Sequence, residues 1–171
     1  MIKRPESSEY FEYYGRYVDQ VPEGDVISIL AEELQRTLTL LSGVPTERAD
    51  YSYAPGKWSI KEVIGHLIDT ERVFVYRALS FARRDPAHLP SMEQDDWAGV
   101  SNAAERTLEA LANELEAVRR SSILLFRGFD DEMMALRGGA SGYEFSVRSI
   151  PYIIAGHEIH HRGVLAERYL G

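Results

Sequence analysis

The residues best suited to chemistry in this sequence are the histidines near its C-terminal end. Three of the five histidines, His157, His160 and His161, fall within five consecutive residues. His157 and His161 are four residues apart, about 40° around a helix, so both imidazoles project from one face and can reach one metal ion. Ring nitrogens on a buried face need partners, because an unpaired polar group there costs about 1–3 kcal/mol. A metal ion or ordinary hydrogen bonds would each satisfy them, and the spacing alone does not decide between the two.

Residues 157–161, His-Glu-Ile-His-His, also match the H-E-x-x-H motif of metalloproteases, in which the glutamate is the general base. The extended motif requires glycine at 164 and histidine at 167, where this sequence has Val164 and Glu167. The ten residues that follow His161 contain no further histidine. We therefore reject the metalloprotease interpretation and expect any third ligand to lie upstream.

Two histidines lie upstream, and they differ in their surroundings. His66 follows Val63 by one helical turn and adjoins Leu67, so it lies on or beside an apolar stripe. Together with His157 and His161 it would complete a three-histidine set, which leaves an open coordination position for water or substrate. Neutral imidazoles suit zinc, nickel, iron or copper, and the sequence does not rank them. His88 lies in a loop between Pro86 and Pro90, and we expect it to face solvent.

Composition excludes several other classes of function. The 171 residues contain no cysteine, which rules out disulfides, thiolate metal sites and a cysteine nucleophile. The 19 basic and 27 acidic side chains give a net charge of −8, which disfavours nucleic acid and anionic membranes as partners. The N-terminal residues lack the apolar segment of a secretory signal, and we expect a cytoplasmic protein.

Apolar residues at helical spacing predict four long helices, which position these histidines. The first spans about 25–42, and the second, about 60–84, begins with a Ser59–Glu62 capping box and carries His66. The third spans about 101–127 and opens at Ser101, and the fourth spans about 149–169 and carries the C-terminal histidines.

The connections at 43–58, 85–100 and 128–148 are long, and a short strand or hairpin is expected within 136–148. We therefore predict an all-α fold, a four-helix bundle with crossover connections, forming one domain over residues 1–171. Within it, residues 1–24 form a lead-in segment and residues 25–169 form the bundle.

Two segments resemble the hallmark motifs of the DinB-like superfamily. They are Trp58-Ser59-Ile60-Lys61-Glu62-Val63-Ile64-Gly65-His66-Leu67-Ile68-Asp69 and His157-x-x-x-His161-Arg162-Gly163. The resemblance runs over about residues 25–169. It implies a crossover four-helix bundle, usually dimeric, that holds one divalent metal ion, and it carries the ligand role over to His66, His157 and His161 but not to His160.

The resemblance also implies the class of activity. Members of the superfamily are named as metal-dependent hydrolases, and better-defined relatives use a low-molecular-weight thiol such as bacillithiol or mycothiol as cosubstrate or cofactor. A metal can lower the pKa of either a water or a thiol, so both reactions need the open position. We expect a hydrolase or thiol S-transferase acting on a small molecule. A non-catalytic, dimeric metal-binding or stress-response scaffold is the alternative, and core histidines without a metal are the third possibility.

Several neighbouring residues are weaker candidates for the site. Asp69 lies one turn after His66 and Glu158 adjoins His157, so either carboxylate could act in catalysis or orient an imidazole. Arg162 could bind an anionic substrate but is expected to form an ion pair. Trp97 is expected to overhang a pocket, and Gly163 to mark close helix packing.

Overall fold

A computed structural model describes residues 1–171 of the protein. The helices are α1 (Gly15–Val18), α2 (Val26–Ser42), α3 (Ile60–Ala82), α4 (Gln94–Val100), α5 (Leu108–Arg127), α6 (Asp131–Ala135) and α7 (Ser149–Val164). A π-helix at Leu165–Tyr169 continues α7, and strands β1 (Arg137–Ala140) and β2 (Tyr143–Ser146) pair antiparallel. Short 3-10 turns lie at Ser7–Glu9, Glu12–Tyr14, Thr46–Arg48 and Ala103–Glu105. No helix is both long and apolar enough to cross a membrane.

The start of α3 has the predicted capping box. The Ser59 hydroxyl accepts a hydrogen bond from the Glu62 amide at 3.2 Å, and the Glu62 carboxylate accepts one from the Ser59 amide at 2.7 Å. These reciprocal bonds satisfy two of the amides that a helix start leaves unpaired. The predicted hairpin is also present, as β1 and β2.

Two predicted helix boundaries and one predicted connection differ from the structure. The third long helix begins at Leu108, because Thr107 caps it and Asn102 has a left-handed φ of 61°, which interrupts a helix starting at 101. The second ends at Ala82, two residues early, and Arg84 beyond it is left-handed as well. The predicted connection at 85–100 contains α4.

Two apolar clusters divide the bundle along its length. The first joins the beginnings of α2 and α7 to the ends of α3 and α5, and includes Leu30, Phe81, Phe126 and Ile150. The second joins the opposite ends of these helices, and includes Leu41, Ile60, Leu111 and Leu165. Helices α2 and α7 therefore run in one direction, and α3 and α5 run in the other.

This arrangement explains the long connection between α3 and α5. Because both helices run in the same direction, residues 83–107 must return along the bundle, and α4 and the Ala103–Glu105 turn within them pack against α3. Helix α2 packs against α5 and α7, and α3 packs against the same two helices, so α2 and α3 lie diagonally opposite. The bundle thus has the expected crossover, and the crossover covers α3.

A buried polar layer separates the two clusters. Each long helix contributes one charged residue at this level, namely Glu33, Glu71, Arg119 and Glu158, all at most 3% exposed. Arg119 donates to Glu71 at 2.8 Å, to Glu158 at 2.6 Å and to the Leu30 carbonyl at 2.8 Å. Burial alone would lower the pKa of Arg119, but the two carboxylates raise it, so the guanidinium stays charged. These bonds fix the level at which α2, α3, α5 and α7 meet.

Candidate metal centre

Three histidines from two helices converge inside the bundle. His66 lies on α3, His157 and His161 lie one turn apart on α7, and α3 packs against α7. Each ring offers one nitrogen, and these three nitrogens lie within 4.8 Å of one another. The Nε2 atoms of His66 and His157 are 3.1 Å apart. His66 and His157 are buried and His161 is half-buried.

The two remaining histidines lie outside this cluster. The half-buried ring of His160 stands edge-on to Tyr17, with centroids 5.5 Å apart. His88 is exposed, and its Nε2 accepts a hydrogen bond from the Gly142 amide at 3.0 Å. The structure therefore brings together the same three histidines that the sequence singles out.

The electrostatics of the cluster keep the imidazoles neutral. Burial lowers the pKa of His66 from its ordinary value of 6.5 to about 4. Burial, and secondarily the neighbouring His66, lower the pKa of His161 to about 3. The pKa of His157 falls well below its ordinary value, chiefly through burial and then through His161 and His66. Because metal ions bind the neutral imidazole, these shifts favour ligation at neutral pH.

The arrangement fits a divalent ion. Two nitrogens about 2.1 Å from one zinc ion, at tetrahedral or octahedral angles, lie roughly 3.0–3.4 Å apart, and the His66–His157 separation falls in that range. The nitrogen of His161 lies within 4.8 Å of the other two. No carboxylate belongs to the group, so three imidazoles would leave positions open.

Neighbouring side chains hold the rings. The Thr70 hydroxyl lies 3.3 Å from Nδ1 of His66, so Nδ1–H can donate to it and leave the Nε2 lone pair free. The Trp58 ring packs beside His66 with centroids 4.7 Å apart, and the Tyr17 ring stands edge-on to His157 at 5.2 Å. A Cβ atom on Gly156 would lie 2.0 Å from the Tyr17 carbonyl oxygen, so this glycine is what allows α1 to rest on α7.

A cavity of about 580 Å³ leads from the surface to two of the histidines, His66 and His157. Its apolar walls come from the N-terminal segment, α3 and β2. The crossover supplies the mouth, where residues 91–96 contribute mostly exposed side chains. The lining includes Phe11, Tyr13, Tyr14, Tyr17, Thr70, Phe74, Arg77 and Tyr143. A small organic molecule could thus reach the histidine cluster.

The two carboxylates considered as catalytic candidates do not line this cavity. Asp69 lies 3.9 Å from Arg72 on its own helix, and burial raises the pKa of its carboxyl group. Glu158 is bound to Arg119 in the polar layer. Thr70, rather than either carboxylate, is the partner of His66.

Three further expectations have different outcomes. Trp97 on α4 is 45% exposed and is not among the cavity residues, although its own loop borders the mouth. Arg162 forms the expected ion pair, with Glu33 of α2. Gly163 is not a close-packing position, because nothing lies within 4 Å of a Cβ placed there; Gly156, which the sequence analysis did not single out, is one.

Sequence reasoning also missed Thr70 and Arg77 as site residues. Both have a detectable signal, since they follow His66 by four and eleven residues and therefore share its face of α3. The aromatic residues of the N-terminal segment have no such signal, because their place in the cavity depends on α1 packing against α7.

The fold is a crossover four-helix bundle in which three histidines converge, and two of these histidines line a cavity. The sequence model of the DinB superfamily matches residues 29–165. The chain belongs to the DinB superfamily.

Comparison with individual proteins agrees with this membership. "Putative metal-dependent hydrolase OB0413" of Oceanobacillus iheyensis is 24% identical over 151 residues, which cover 83% of this chain and 86% of that protein. YfiT from Bacillus subtilis, described as a probable metal-dependent hydrolase with an unusual four-helix bundle topology, superposes with a TM-score of 0.72 at 14% identity. The match covers 96% of this chain and 90% of YfiT.

A mycothiol-dependent maleylpyruvate isomerase superposes with a TM-score of 0.68 at 13% identity. That match covers 85% of this chain but 61% of the isomerase, so the isomerase has a substantial part without a counterpart here. At these identities the two solved structures establish the fold.

Proposed function

We propose that the protein is a metal-dependent hydrolase of small organic molecules that binds one divalent ion through His66, His157 and His161. The observation that carries the proposal is the convergence of three neutral, largely buried imidazoles, two of which line a cavity of about 580 Å³. The relatives named as metal-dependent hydrolases support the same class.

The residues have distinct parts in this proposal. His66 and His157 face the cavity and would present Nε2 to the ion, while Thr70 would hold the His66 ring in the correct tautomer. When bound, a divalent ion would supply a Lewis acid that lowers the pKa of a water or thiol at its open position. The aromatic walls would limit the water that reaches the reacting atoms.

Tyr17 would contribute a hydrogen-bond donor. Its hydroxyl accepts a hydrogen bond from Arg16 at 2.9 Å, and burial raises the pKa of Tyr17 to about 12. The hydroxyl thus stays protonated at neutral pH, where it can donate to a substrate oxygen but cannot act as a base. The chain contains no cysteine, so a nucleophilic sulfur could come only from a substrate, and in the hydrolase the attacking oxygen would come from water.

Transfer of a low-molecular-weight thiol is the second candidate, because a mycothiol-dependent enzyme shares the fold. A thiol cosubstrate would supply the nucleophilic sulfur that this chain lacks. The rival from another class is a dimeric metal-binding scaffold without turnover. It needs the same ligands, so metal binding alone does not separate it from an enzyme.

The ligand assignment is tested by metal analysis of protein purified without a histidine tag. We expect about one divalent ion per chain, and its loss in His66→Ala, His157→Ala and His161→Ala. His160→Ala is the matched control, because His160 adjoins His161 on α7 but lies outside the cluster, and this variant should keep the ion. Retention of the ion in all four variants would show that the assignment is wrong.

The reaction class is tested by assaying the metal-loaded protein against a panel of esters, amides and electrophiles. Each compound is run alone and with bacillithiol, mycothiol or glutathione, and His66→Ala is the inactive control. Hydrolysis without thiol would support the hydrolase, whereas thiol-dependent products alone would replace it by the transferase. Metal binding without turnover, together with a stable dimer in solution, would favour the scaffold.

A further inference from the structure

The cavity contains a buried cation that no carboxylate neutralises. Arg77 of α3 is 3% exposed and lines the cavity. Its Nη2 donates to the Pro90 carbonyl and to the Ser141 hydroxyl, each at 2.9 Å. Arg77 takes part in none of the ion pairs of the protein. Arg119, the other arginine buried to this degree, pairs with two glutamates.

The rest of the guanidinium is available to a ligand. An arginine carries five N–H donors, and the two bonds of Nη2 use two of them. The Tyr14 side chain, which lines the same cavity, is a further hydrogen-bond partner of the guanidinium. Two of the five N–H donors therefore remain for a ligand. Removing a charge from water without a counter-charge is costly, and a bound anion would relieve that cost.

Arg77 and His66 share one face of α3. They are eleven residues apart, which places them about 20° apart around the helix, with Cα atoms about 16 Å apart along it. The Arg77 guanidinium carbon lies 5.2 Å from the centroid of the Phe74 ring, so the side chain extends toward the His66 end of α3. Val73 and Phe74 lie between the two along the helix and also line the cavity.

We propose that Arg77 binds the carboxylate of an elongated, monoanionic substrate. The apolar body of this substrate would lie against Phe11, Tyr14 and Phe74, and its other end would reach His66 and His157. This inference rests on the proposed function, for which it names the substrate class. Both N–H groups of Nη2 are already used, so the carboxylate would accept charge-assisted hydrogen bonds from the remaining N–H groups of the guanidinium.

The mouth of the cavity favours a single negative charge. Glu93, Asp95 and Asp96 border it with exposed side chains. Their field would oppose the entry of a multiply charged anion such as a phosphate monoester more than that of a monocarboxylate. Selection of the carboxylate would then depend on the buried arginine beyond them.

A purely structural role of Arg77 makes a different prediction. Through Pro90 and Ser141 the side chain ties the crossover to the hairpin, and a neutral donor could make the same two bonds. If tying were its whole role, the protein would not discriminate a carboxylate from an uncharged ligand of the same shape.

The test uses isothermal titration calorimetry on the full-length protein after removal of metal by a chelator. The probes are phenylalkanoates from phenylacetate to 6-phenylhexanoate, each compared with its primary amide. We expect at least one carboxylate to bind about tenfold or more tightly than its amide, as a charge-assisted hydrogen-bond pair provides. Equal affinity for acid and amide throughout, or no binding of any probe, would overturn the proposal.

Three variants test whether Arg77 causes the preference for the carboxylate over the amide. Arg77→Gln should remove it, Arg77→Lys should retain part of it, and Arg83→Gln, an exposed arginine just after α3, should leave it unchanged. A preference that survives in folded Arg77→Gln, as judged by circular dichroism, would overturn the assignment. If that variant does not fold, loss of most of the preference in Arg77→Lys would support the assignment, and an unchanged preference would overturn it.

This experiment fails separately from the proposed function. The experiment measures binding to metal-free protein. A preference for acids without any turnover by the metal-loaded protein would therefore exclude the hydrolase but support the carboxylate site at Arg77. Turnover without a preference for acids would support the hydrolase but exclude that carboxylate site.

Discussion

Replacement of Arg119 by methionine removes the cation that joins α5 to the three other long helices in the polar layer. The guanidinium is 1% exposed, and it makes hydrogen bonds to Glu71, Glu158 and the Leu30 carbonyl. Methionine fills part of the same volume but offers no donor. The variant therefore retains two buried carboxylates, Glu71 and Glu158, whose cationic partner is gone.

The expected loss of stability follows from these contacts. Removing one partner of a buried ion pair typically costs about 3–5 kcal/mol, because the remaining charge stays desolvated. The Leu30 carbonyl still accepts the helical hydrogen bond of α2, so its loss of Arg119 adds little. We therefore expect Arg119→Met to lower the free energy of unfolding by about 3–5 kcal/mol, a large part of the roughly 5–15 kcal/mol of a typical domain.

Urea unfolding followed by circular dichroism measures this loss. With a slope of about 2 kcal/mol per molar, the midpoint should fall by roughly 2 M. Arg120→Met is the matched control, since the neighbouring Arg120 is 73% exposed and pairs with Glu116 at the surface, a contact worth about 0–1 kcal/mol. A loss below about 1 kcal/mol in Arg119→Met, equal to that of the control, would refute the reasoning.

A triple variant separates charge from packing. Replacing Glu71 and Glu158 by methionine together with Arg119→Met removes all three charges, and such replacements are often neutral or stabilising. We expect this variant to recover most of the lost stability. A triple variant as unstable as Arg119→Met would show that lost packing, rather than unpaired charge, causes the defect.

Two further predictions concern α7 and the histidines. Gly156→Ala should lower the free energy of unfolding by about 1–3 kcal/mol, because its Cβ would lie 2.0 Å from the Tyr17 carbonyl oxygen. Gly163→Ala should raise it by up to about 1 kcal/mol, because nothing lies within 4 Å of a Cβ there. Equal shifts of the melting temperature in the two variants would contradict this prediction. In metal-free folded protein the pKa is about 4 for His66 and about 3 for His161, whereas histidine in the unfolded chain has a pKa of about 6.5. Below pH 6.5 the unfolded state therefore binds more protons, and the free energy of unfolding should fall as the pH drops. At about 1.36 kcal/mol per pKa unit, His66 alone should lower the free energy of unfolding by on the order of 3 kcal/mol at pH 4. A urea midpoint that stays constant down to about pH 4.5 would contradict this prediction.

Local patterns were sufficient for most of the fold. The capping box of Ser59 and Glu62 involves residues three apart, and the apolar stripes need only the period of a helix, so the four long helices were predictable. The start of α5 was not, because Ser101 and Thr107 are both good caps and only the left-handed Asn102 excludes the first. Helix α4 spans seven residues, too few for a clear period.

The composition of the candidate metal centre was readable from the sequence, because the helical period alone places His157 and His161 on one face and the family motif includes His66. Its geometry was a matter of tertiary structure. The 3.1 Å between His66 and His157 joins residues 91 apart in the chain, and it depends on α3 packing against α7. The same packing buries the rings and lowers their pKa values. Nothing in the sequence distinguishes Arg77 from the other arginines. It becomes a buried charge without a counter-charge because the crossover and the hairpin close over it. Burial depends on what surrounds a residue rather than on the type of the residue.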